Sequence, residues 1–355
     1  MTLWRRYFFY EICKVFTFFL VAFFFLYALL DFSMHMDDFF KDSHLQVVQI
    51  CSYYGCHFLK RADFLLPLSL LVATIKVLTT FNHRREWMVL QVAGLSTKTL
   101  LTPFFVVAAL CATFNYANFE FFLPKALLNM ETFHATHFKS SHRAKRKELI
   151  HLLTLKDNSK LVYQSYSPEK DAFFDVLWVR SPDDIWRMKF LSANPDTPTA
   201  QYVDHLTRSP EGFLAKTESY ETFSFSDLKW RPSMTGKSFI PFESRSLKEL
   251  LRFKKQTATP YEIPKIMTQI CYKCAVPLLS LFVVLTVSPF CLRFSRQQNL
   301  FFIYALGIFG LLSLYTLLDA TVVLGEYAVL SPVVAIFAPL LLVTIPFIWK
   351  FVKTA

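Results

Sequence analysis

Residues 299–318 read NLFFIYALGIFGLLSLYTLL, a run of 20 residues without a charged side chain. An α-helix rises about 1.5 Å per residue, so a helix of this length matches the roughly 30 Å hydrocarbon core of a bilayer. Five further apolar runs support the same interpretation, at about 13–31, 62–81, 99–123, 266–290 and 330–349. The chain is therefore predicted to cross a membrane six times.

The composition agrees with a membrane protein and argues against a disordered or nucleic-acid-binding one. The chain of 355 residues is 54% hydrophobic and only 18% charged, although its formal net charge is +11. In a membrane protein, an excess of Lys and Arg is explained first by topology and by anionic lipid headgroups, because the cytoplasmic ends of the spans are rich in basic residues. No nucleic acid is expected as a partner.

Basic residues in the short loops predict the orientation. On one side of the predicted spans they comprise Arg5, Arg6, Arg84, Arg85, Lys98, Arg293, Arg296, Lys350 and Lys353. On the other side, the loop at 319–329 contains no Lys or Arg. The basic side is cytoplasmic by the positive-inside rule, so both termini are predicted to lie inside and the block 125–265 outside.

The block 125–265 is too long for an ordinary loop and predicts a separate domain. Segments rich in aromatic and β-branched residues, such as KLVYQSYS and AFFDVLWVR, are separated by turn sequences such as SPEKD and NPDTP. This spacing predicts an antiparallel sandwich, open sheet or jelly roll within about 140–245. The flanks 125–150 and 245–258 predict helices that tie the sheet to the membrane.

The loop between the second and third runs, FNHRREWMVLQVAGLSTKTL, is the most informative cytoplasmic feature. Its pattern predicts a short amphipathic helix at about 83–94 that lies along the membrane surface and ends at Gly94. This helix is either an ordinary connector or a docking helix for the groove of a partner. The predicted apolar stripe consists of Trp87, Val89, Leu90, Val92 and Ala93.

Two groups between the first two spans leave alternatives open. Cys51 and Cys56, in CSYYGC, are a possible disulfide if this loop faces an oxidising compartment. Lys41, Lys60 and Arg61 lie near the outer surface, where each basic residue contributes about 1 kcal/mol at an anionic surface. They either hold an anionic lipid headgroup or merely anchor the helix ends by snorkelling.

Other motifs give no support for catalysis, for a metal site or for a cofactor. TGKS at 235–238 resembles the end of a phosphate loop, but Arg231 occupies the position of the required glycine. His134 and His137 have helical spacing but lack a third ligand, so they predict a solvated helix face. Cys271 and Cys274 lie within a predicted span, and Lys76 in the second span either snorkels or has a function.

These features together resemble the lipopolysaccharide export permease family LptF/LptG, also called YjgP/YjgQ. The connector is the most specific part, because the family's glutamate, alanine and glycine fall on Glu86, Ala93 and Gly94. The loop RFSRQQN after the fourth span lacks the family's usual glycine. The likeness runs through RYFFYEICKVF, LPLSLLVATIKVLTTFNHRREWMVLQVAGLS, FEFFLP, FFDVLWVR, SLKELLRF, SPFCLRF and LSPVVAIFAPLLLV.

The resemblance implies an α-helical polytopic membrane protein with an inserted, jellyroll-like, extracytoplasmic antiparallel β domain. Its parts would be spans one to three at 1–124, a periplasmic β domain at 125–265, and spans four to six at 266–355. The implied activity is that of a permease subunit, not an enzyme, in an ABC exporter. It would extract lipopolysaccharide from the bacterial inner membrane and pass it to a periplasmic bridge toward the outer membrane.

The resemblance also implies partners and contact residues. The partners are an LptB-like cytoplasmic ATPase, a second permease of the family in a heterodimer, and LptC/LptA-like periplasmic jellyroll proteins. The connector becomes a coupling helix with Glu86 as its acidic contact. The residues expected at the ATPase are Arg85, Glu86, Trp87, Leu90, Ala93 and Gly94.

Acyl chains are expected to pass through the apolar interior of the β domain, because a lipid leaving the bilayer needs a continuous dry path. The candidate contacts are Phe173, Val176 and Trp178, and alternation along one strand predicts that they sample both faces of the sheet.

Two rival functions remain at this point. A membrane-anchored scaffold with a periplasmic binding domain would have the same architecture without a transport role. A secondary transporter would place coupling carboxylates in mid-membrane and have two similar halves, whereas the predicted spans contain almost no acidic residues. Co-purification of an ATPase and a second permease would distinguish a transport subunit from a scaffold.

Overall fold

The computed structural model describes residues 3–41, 47–137, 151–155, 159–167, 172–192, 198–208, 213–225, 228, 244–256, 262–292 and 300–354. The chain divides into two compact units, which we call the helical unit and the β unit. The helical unit comprises residues 1–139 and 242–355, and the β unit comprises residues 140–241.

The described part of the helical unit consists of α-helices joined by short turns. A π-helical turn, Asn118–Phe122, joins α4 to α5, and a 3-10 turn, Val276–Leu278, joins α7 to α8. The helices are α1 (Leu3–Lys41), α2 (Val47–His83), α3 (Glu86–Val92), α4 (Thr97–Ala117), α5 (Leu123–His137), α6 (Leu247–Gln256), α7 (Glu262–Ala275), α8 (Leu279–Cys291), α9 (Leu300–Glu326) and α10 (Pro332–Thr354).

Six stretches of these helices are long and apolar enough to cross a membrane, so the six predicted spans are confirmed. Several extend beyond the predicted runs, because α1 and α2 continue well past the hydrocarbon core. The six stretches are Leu3–Met36, Val47–His83, Thr97–Leu127, Ile263–Cys291, Leu300–Glu326 and Pro332–Trp349.

The second span is the centre of the helical unit. In its most apolar stretch 72% of the residues are buried, against 6% in the first span and 11% in the sixth. It packs against α1, α4, α5, α8 and α9. Most residues of the first and sixth spans are therefore at least partly open to lipid or to another membrane protein.

Polar side chains fix the two ends of the second span. Near one end, Asn82 Nδ2 donates a hydrogen bond of 3.1 Å to the carbonyl oxygen of Cys291 in α8. Near the other, the Tyr315 hydroxyl of α9 donates one of 2.7 Å to the carbonyl of Asp63. Both hydrogen bonds are partly buried, and the lower dielectric there strengthens them, so these contacts help to fix the register of α2 against its neighbours.

Gly325 marks a tight crossing of α9 over α7. A Cβ at this position would lie 2.8 Å from Thr268 Oγ1 and 3.3 Å from Ala335 Cβ. The adjacent Glu326 accepts a hydrogen bond of 2.8 Å from Gln269 Nε2. The glycine therefore permits the close approach that this hydrogen bond needs.

Replacing Gly325 by Ala is expected to destabilise the helical unit by about 1–3 kcal/mol, because the added methyl group overpacks the crossing. Thermal unfolding of the detergent-solubilised protein measures this as a lower Tm. Gly310→Ala on the same helix is the matched control, since within the described part of the chain its ideal Cβ position has no neighbour within 4 Å beyond its own helix. Equal unfolding temperatures for the two variants would show that the crossing tolerates the methyl group.

The β unit contains one six-stranded antiparallel sheet in its described part, which confirms an inserted antiparallel β region. The strands lie side by side in chain order, so each pairs with the next along the chain. Among the three forms that the sequence left open, an open sheet fits this order. The strands are β1 (His151–Thr154), β2 (Lys160–Ser167), β3 (Ala172–Ser181), β4 (Asp184–Ser192), β5 (Thr199–Arg208) and β6 (Leu214–Ser224).

An interruption in the strand pairing, which we call the crease, crosses the sheet from β2 to β6. The register of Cα partners passes over one row of residues, which contains Gln164, Asp175, Lys189, Tyr202 and Glu221. Asp175 and Tyr202 have φ angles of 48° and 53°. Residues with positive φ interrupt the pleat, so the side chains on the two sides of the crease are out of phase.

The crease places Phe173, Val176 and Trp178 on the same face of the sheet. All three are fully buried, although Phe173 is an odd number of positions from the other two. The prediction that these three residues sample both faces is therefore wrong, because the positive φ of Asp175 resets the alternation between them. Other buried residues of this core are Leu155, Leu161, Tyr163, Met188, Leu191, Ala200, Val203, Phe225 and Leu228.

Candidate functional site

The connector between the second and third spans folds as α3, a helix of seven residues. Two residues with positive φ bound it, Arg85 at 63° and Gly94 at 91°. The Gly94 amide donates to the Gln91 carbonyl and the Leu95 amide to the Leu90 carbonyl, over 2.9 and 3.1 Å. This is a Schellman motif, which glycine favours because it has no Cβ, so the predicted helix end at Gly94 is confirmed.

Trp87 attaches α3 to the helical unit. Its side chain is 3% exposed, and its ring stacks on Phe8 of α1 with centroids 6.2 Å apart. Phe8 in turn stacks on Phe81 of α2 at 4.3 Å. Leu90 packs partly against the same core. An aromatic stack on two spans therefore holds the inner face of α3.

The other apolar side chains of α3 point away from that core. Val89 and Val92 are 66% and 85% exposed, and Met88 is also exposed. The predicted single apolar stripe is therefore wrong, because Trp87 and Leu90 lie on the inner face and the valines on the outer one. A short helix with two apolar faces has an outer face suited to a partner.

Charged and small residues surround this outer face. Glu86 is partly exposed, and its carboxylate lies 3.7 Å from the guanidinium of the exposed Arg84. An exposed ion pair of this kind contributes at most about 1 kcal/mol, so the pairing with Arg84 does not prevent Glu86 from contacting a cation of a partner. Arg85, Ala93 and Gly94 are also exposed.

The headgroup candidates lie at the end of the second span opposite to α3. Lys60 and Arg61 are exposed on α2, and the Arg61 guanidinium lies 6.0 Å from the ring centre of Tyr27 in α1. The Tyr27 hydroxyl forms a hydrogen bond of 3.0 Å with His57 Nδ1. Sequence reasoning missed this contact between the spans. Lys41 is the last residue of α1, and its side chain lies outside the described residues.

The cysteine prediction is corrected by the structure. CSYYGC belongs to α2 and not to a loop, and the thiols of Cys51 and Cys56 are both free. Cys51 is exposed whereas Cys56 is buried, because positions five apart on a helix point in different directions. The disulfide that the sequence left possible is not formed in this structure.

The other sequence motifs considered above, which gave no support for catalysis or for a metal site, lie in different parts of the chain. Cys271 and Cys274 are free thiols on α7, and Lys76 is exposed on α2. His134 and His137 lie in α5, but their side chains are outside the described residues, as is the TGKS segment at 235–238. Among the described residues, no group of three His, Cys, Asp or Glu side chains is placed to hold a metal ion.

The two faces of the sheet in the β unit differ in chemistry. Trp178 Nε1 donates a hydrogen bond of 2.9 Å to Ser159 Oγ within the buried apolar face. On the opposite face, Asp204 lies 2.7 Å from Lys216 Nζ and accepts a hydrogen bond from Ser219. The hydrogen bond from Lys216, and after it that from Ser219, lowers the pKa of Asp204. Of these two faces, only the buried one is chemically suited to acyl chains.

Six apolar spans with a β unit inserted between the third and fourth define a multi-pass membrane protein. The chain belongs to the lipopolysaccharide export system permease family LptF/LptG, whose model matches residues 6–353. The predicted family is thereby confirmed, and with it a general role as a transport subunit in lipopolysaccharide export. No curated protein matches the chain.

Proposed function

We propose that the protein is the permease subunit of an ABC exporter that extracts lipopolysaccharide from the bacterial inner membrane. It passes the lipid to a periplasmic bridge toward the outer membrane. ATP hydrolysis takes place on a separate LptB-like subunit on the cytoplasmic side, where both termini and α3 lie. The observation that carries this proposal is the exposed apolar face of α3, within a chain that belongs to the export permease family.

The ATPase binds the outer face of α3 in this proposal. Val89 and Val92 would gain about 25 cal/mol for each Å² of apolar surface that the ATPase covers. Glu86 makes a charge-assisted contact with a basic residue of the ATPase. Trp87 and Leu90 hold the helix to the spans, so a movement of the ATPase is transmitted to α1 and α2. Arg85, Ala93 and Gly94 complete the contact.

A second permease of the family covers part of the exposed spans and forms a heterodimer with this chain. The low burial of the first and sixth spans supports this arrangement. The β unit lies in the periplasm and passes acyl chains to LptC/LptA-like jellyroll proteins. Phe173, Val176 and Trp178 belong to its dry path, which requires the packed core to open during transport.

The headgroup of the lipid binds Lys41, Lys60 and Arg61 in this proposal. The exposure of Lys60 and Arg61 near the outer end of α2 supports it, since phosphates of the outer leaflet lie at this depth. The stacking of Arg61 on Tyr27 orients its guanidinium beside the first span.

Replacing Lys41, Lys60 and Arg61 together by Gln is expected to weaken the stimulation of ATP hydrolysis by lipopolysaccharide. Three contacts of about 1 kcal/mol each correspond to a rise of up to about 100-fold in the half-stimulating concentration. The measurement uses the complete complex in nanodiscs, with ATP hydrolysis followed against added lipopolysaccharide.

The single replacement Lys160→Gln, on an exposed position of β2, is the control for loss of a basic residue. Wild-type stimulation in the triple variant would leave the three residues as anchors of the helix ends. A wild-type complex that contains no ATPase and shows no response to lipopolysaccharide would instead favour a scaffold.

A further inference from the structure

Helix α6 packs along the ends of two spans. Leu250 is fully buried, and Leu247 and Phe253 are half-buried. The helix contacts α7 and the π-helical turn Asn118–Phe122. The fourth span begins at Ile263, seven residues after the end of α6. The helix therefore lies at one boundary of the apolar core of the helical unit.

Two spans fix the beginning of α6. Lys273 of α7 donates a hydrogen bond from its buried ammonium to the Arg245 carbonyl. Glu120, in the π-helical turn, accepts a hydrogen bond of 3.4 Å from the Lys248 amide and lies 3.6 Å from its Nζ. The Arg245 guanidinium lies 4.5 Å from the ring centre of Phe253. These contacts determine which face of α6 points away from the spans.

That outward face is basic. Lys248, Arg252 and Lys255 follow each other at i, i+4 and i+7, so they form one stripe along the helix, and all three are exposed. Lys248 lies at the edge of this face, where it is also paired with Glu120. Leu251 lies beside this stripe and is 48% exposed. A basic stripe flanked by an exposed apolar residue is typical of a helix that lies in the headgroup layer of a membrane.

The charge of α6 calls for an explanation other than topology. The helix carries Lys248, Arg252, Lys254 and Lys255 against the single acid Glu249. The positive-inside rule accounts for basic loops on the cytoplasmic side, whereas the predicted orientation places α6 on the other side. A binding partner of opposite charge at that surface accounts for it.

We propose that α6 is a lipid-binding helix of the outer leaflet. Lys248, Arg252 and Lys255 bind the phosphates of anionic phospholipids, and Leu251 inserts between their acyl chains. The ligand is the resident phospholipid of the bilayer, so this binding is independent of lipopolysaccharide transport. It holds the α6 segment, which follows the β unit in the chain, at a fixed depth.

A photocrosslinker tests this proposal in the full-length protein. Benzoylphenylalanine replaces Leu251, and the protein is reconstituted in vesicles of phosphatidylcholine with a minor share of phosphatidylglycerol. Mass spectrometry of the crosslinked protein is expected to show phosphatidylglycerol enriched several-fold over its share of the bulk lipid. The variant with Lys248→Gln, Arg252→Gln and Lys255→Gln is expected to capture the two lipids in their bulk ratio.

A matched control removes three exposed basic residues from the β unit, through Lys160→Gln, Arg180→Gln and Lys189→Gln. It is expected to keep the enrichment. Enrichment that persists in the α6 variant, or capture in the bulk ratio by the protein with its wild-type stripe, overturns the proposal. Failure to capture any lipid shows that α6 is not in contact with the bilayer. If added inorganic phosphate abolishes the enrichment of phosphatidylglycerol, while chloride of equal ionic strength does not, the stripe is a site for soluble anions and the proposal is overturned.

Discussion

Replacing Val92 by Glu is expected to remove most of the ATPase that co-purifies with the protein. Val92 is the most exposed apolar residue of α3, at 85%, so it contributes little to packing among the described residues. A carboxylate there would be buried against the ATPase without a partner, at a cost of at least about 2 kcal/mol, or about 30-fold weaker binding. The yield of ATPase in a pull-down of the tagged permease measures the effect.

The control for this change is Val329→Glu. Val329 is 68% exposed and lies in the loop that the charge distribution predicts on the opposite side of the membrane. Both variants are expected to keep the wild-type Tm, because neither side chain is buried. Glu86→Gln should cause a smaller loss of ATPase, since it removes a charge from a contact but buries none. A normal ATPase yield from Val92→Glu would exclude α3 as the docking helix.

The number and placement of the spans were predictable because a membrane imposes length and apolarity together. The extent of α2 was not, since CSYYGC has the composition of a loop. Packing decides the structure there, because Tyr53 lies with its ring 4.8 Å from that of Phe133 in α5. This tertiary contact supports a helix over residues whose local sequence does not indicate one.

The sequence also did not predict which side chains of the short helix α3 and of the sheet point inward. A seven-residue helix with apolar residues on two sides gives no periodic signal that identifies its inner face. Trp87 points inward because its ring stacks on Phe8, which is far away in the chain. The crease in the sheet was equally hidden, because Asp175 and Tyr202 are not glycines. An aspartate between buried aromatic residues in FFDVLW is the one local signal, since Asp adopts positive φ more often than most residues.

Replacing Trp178 by Ala is expected to destabilise the β unit by about 3–5 kcal/mol. The indole is fully buried, its Nε1 donates to Ser159, and its ring meets that of Phe225 edge-on at 5.4 Å. In a domain of about 100 residues each kcal/mol shifts Tm by about 4–8 °C. The expected fall in Tm is therefore about 12–40 °C, measured by circular dichroism of the β unit expressed alone.

Trp186→Ala is the control that distinguishes the effect of removing any tryptophan from the effect of removing a buried one. Trp186 stacks on His205 at 4.0 Å but is only half-buried, so its removal is expected to cost less than that of Trp178. Equal Tm values for the two variants would mean that the buried face does not stabilise the unit. If Trp178 also lines a lipid path, Trp178→Ala should reduce lipopolysaccharide crosslinking to the β unit even at a temperature where the variant remains folded. The reason is that acyl chains lose the apolar contact surface of the indole.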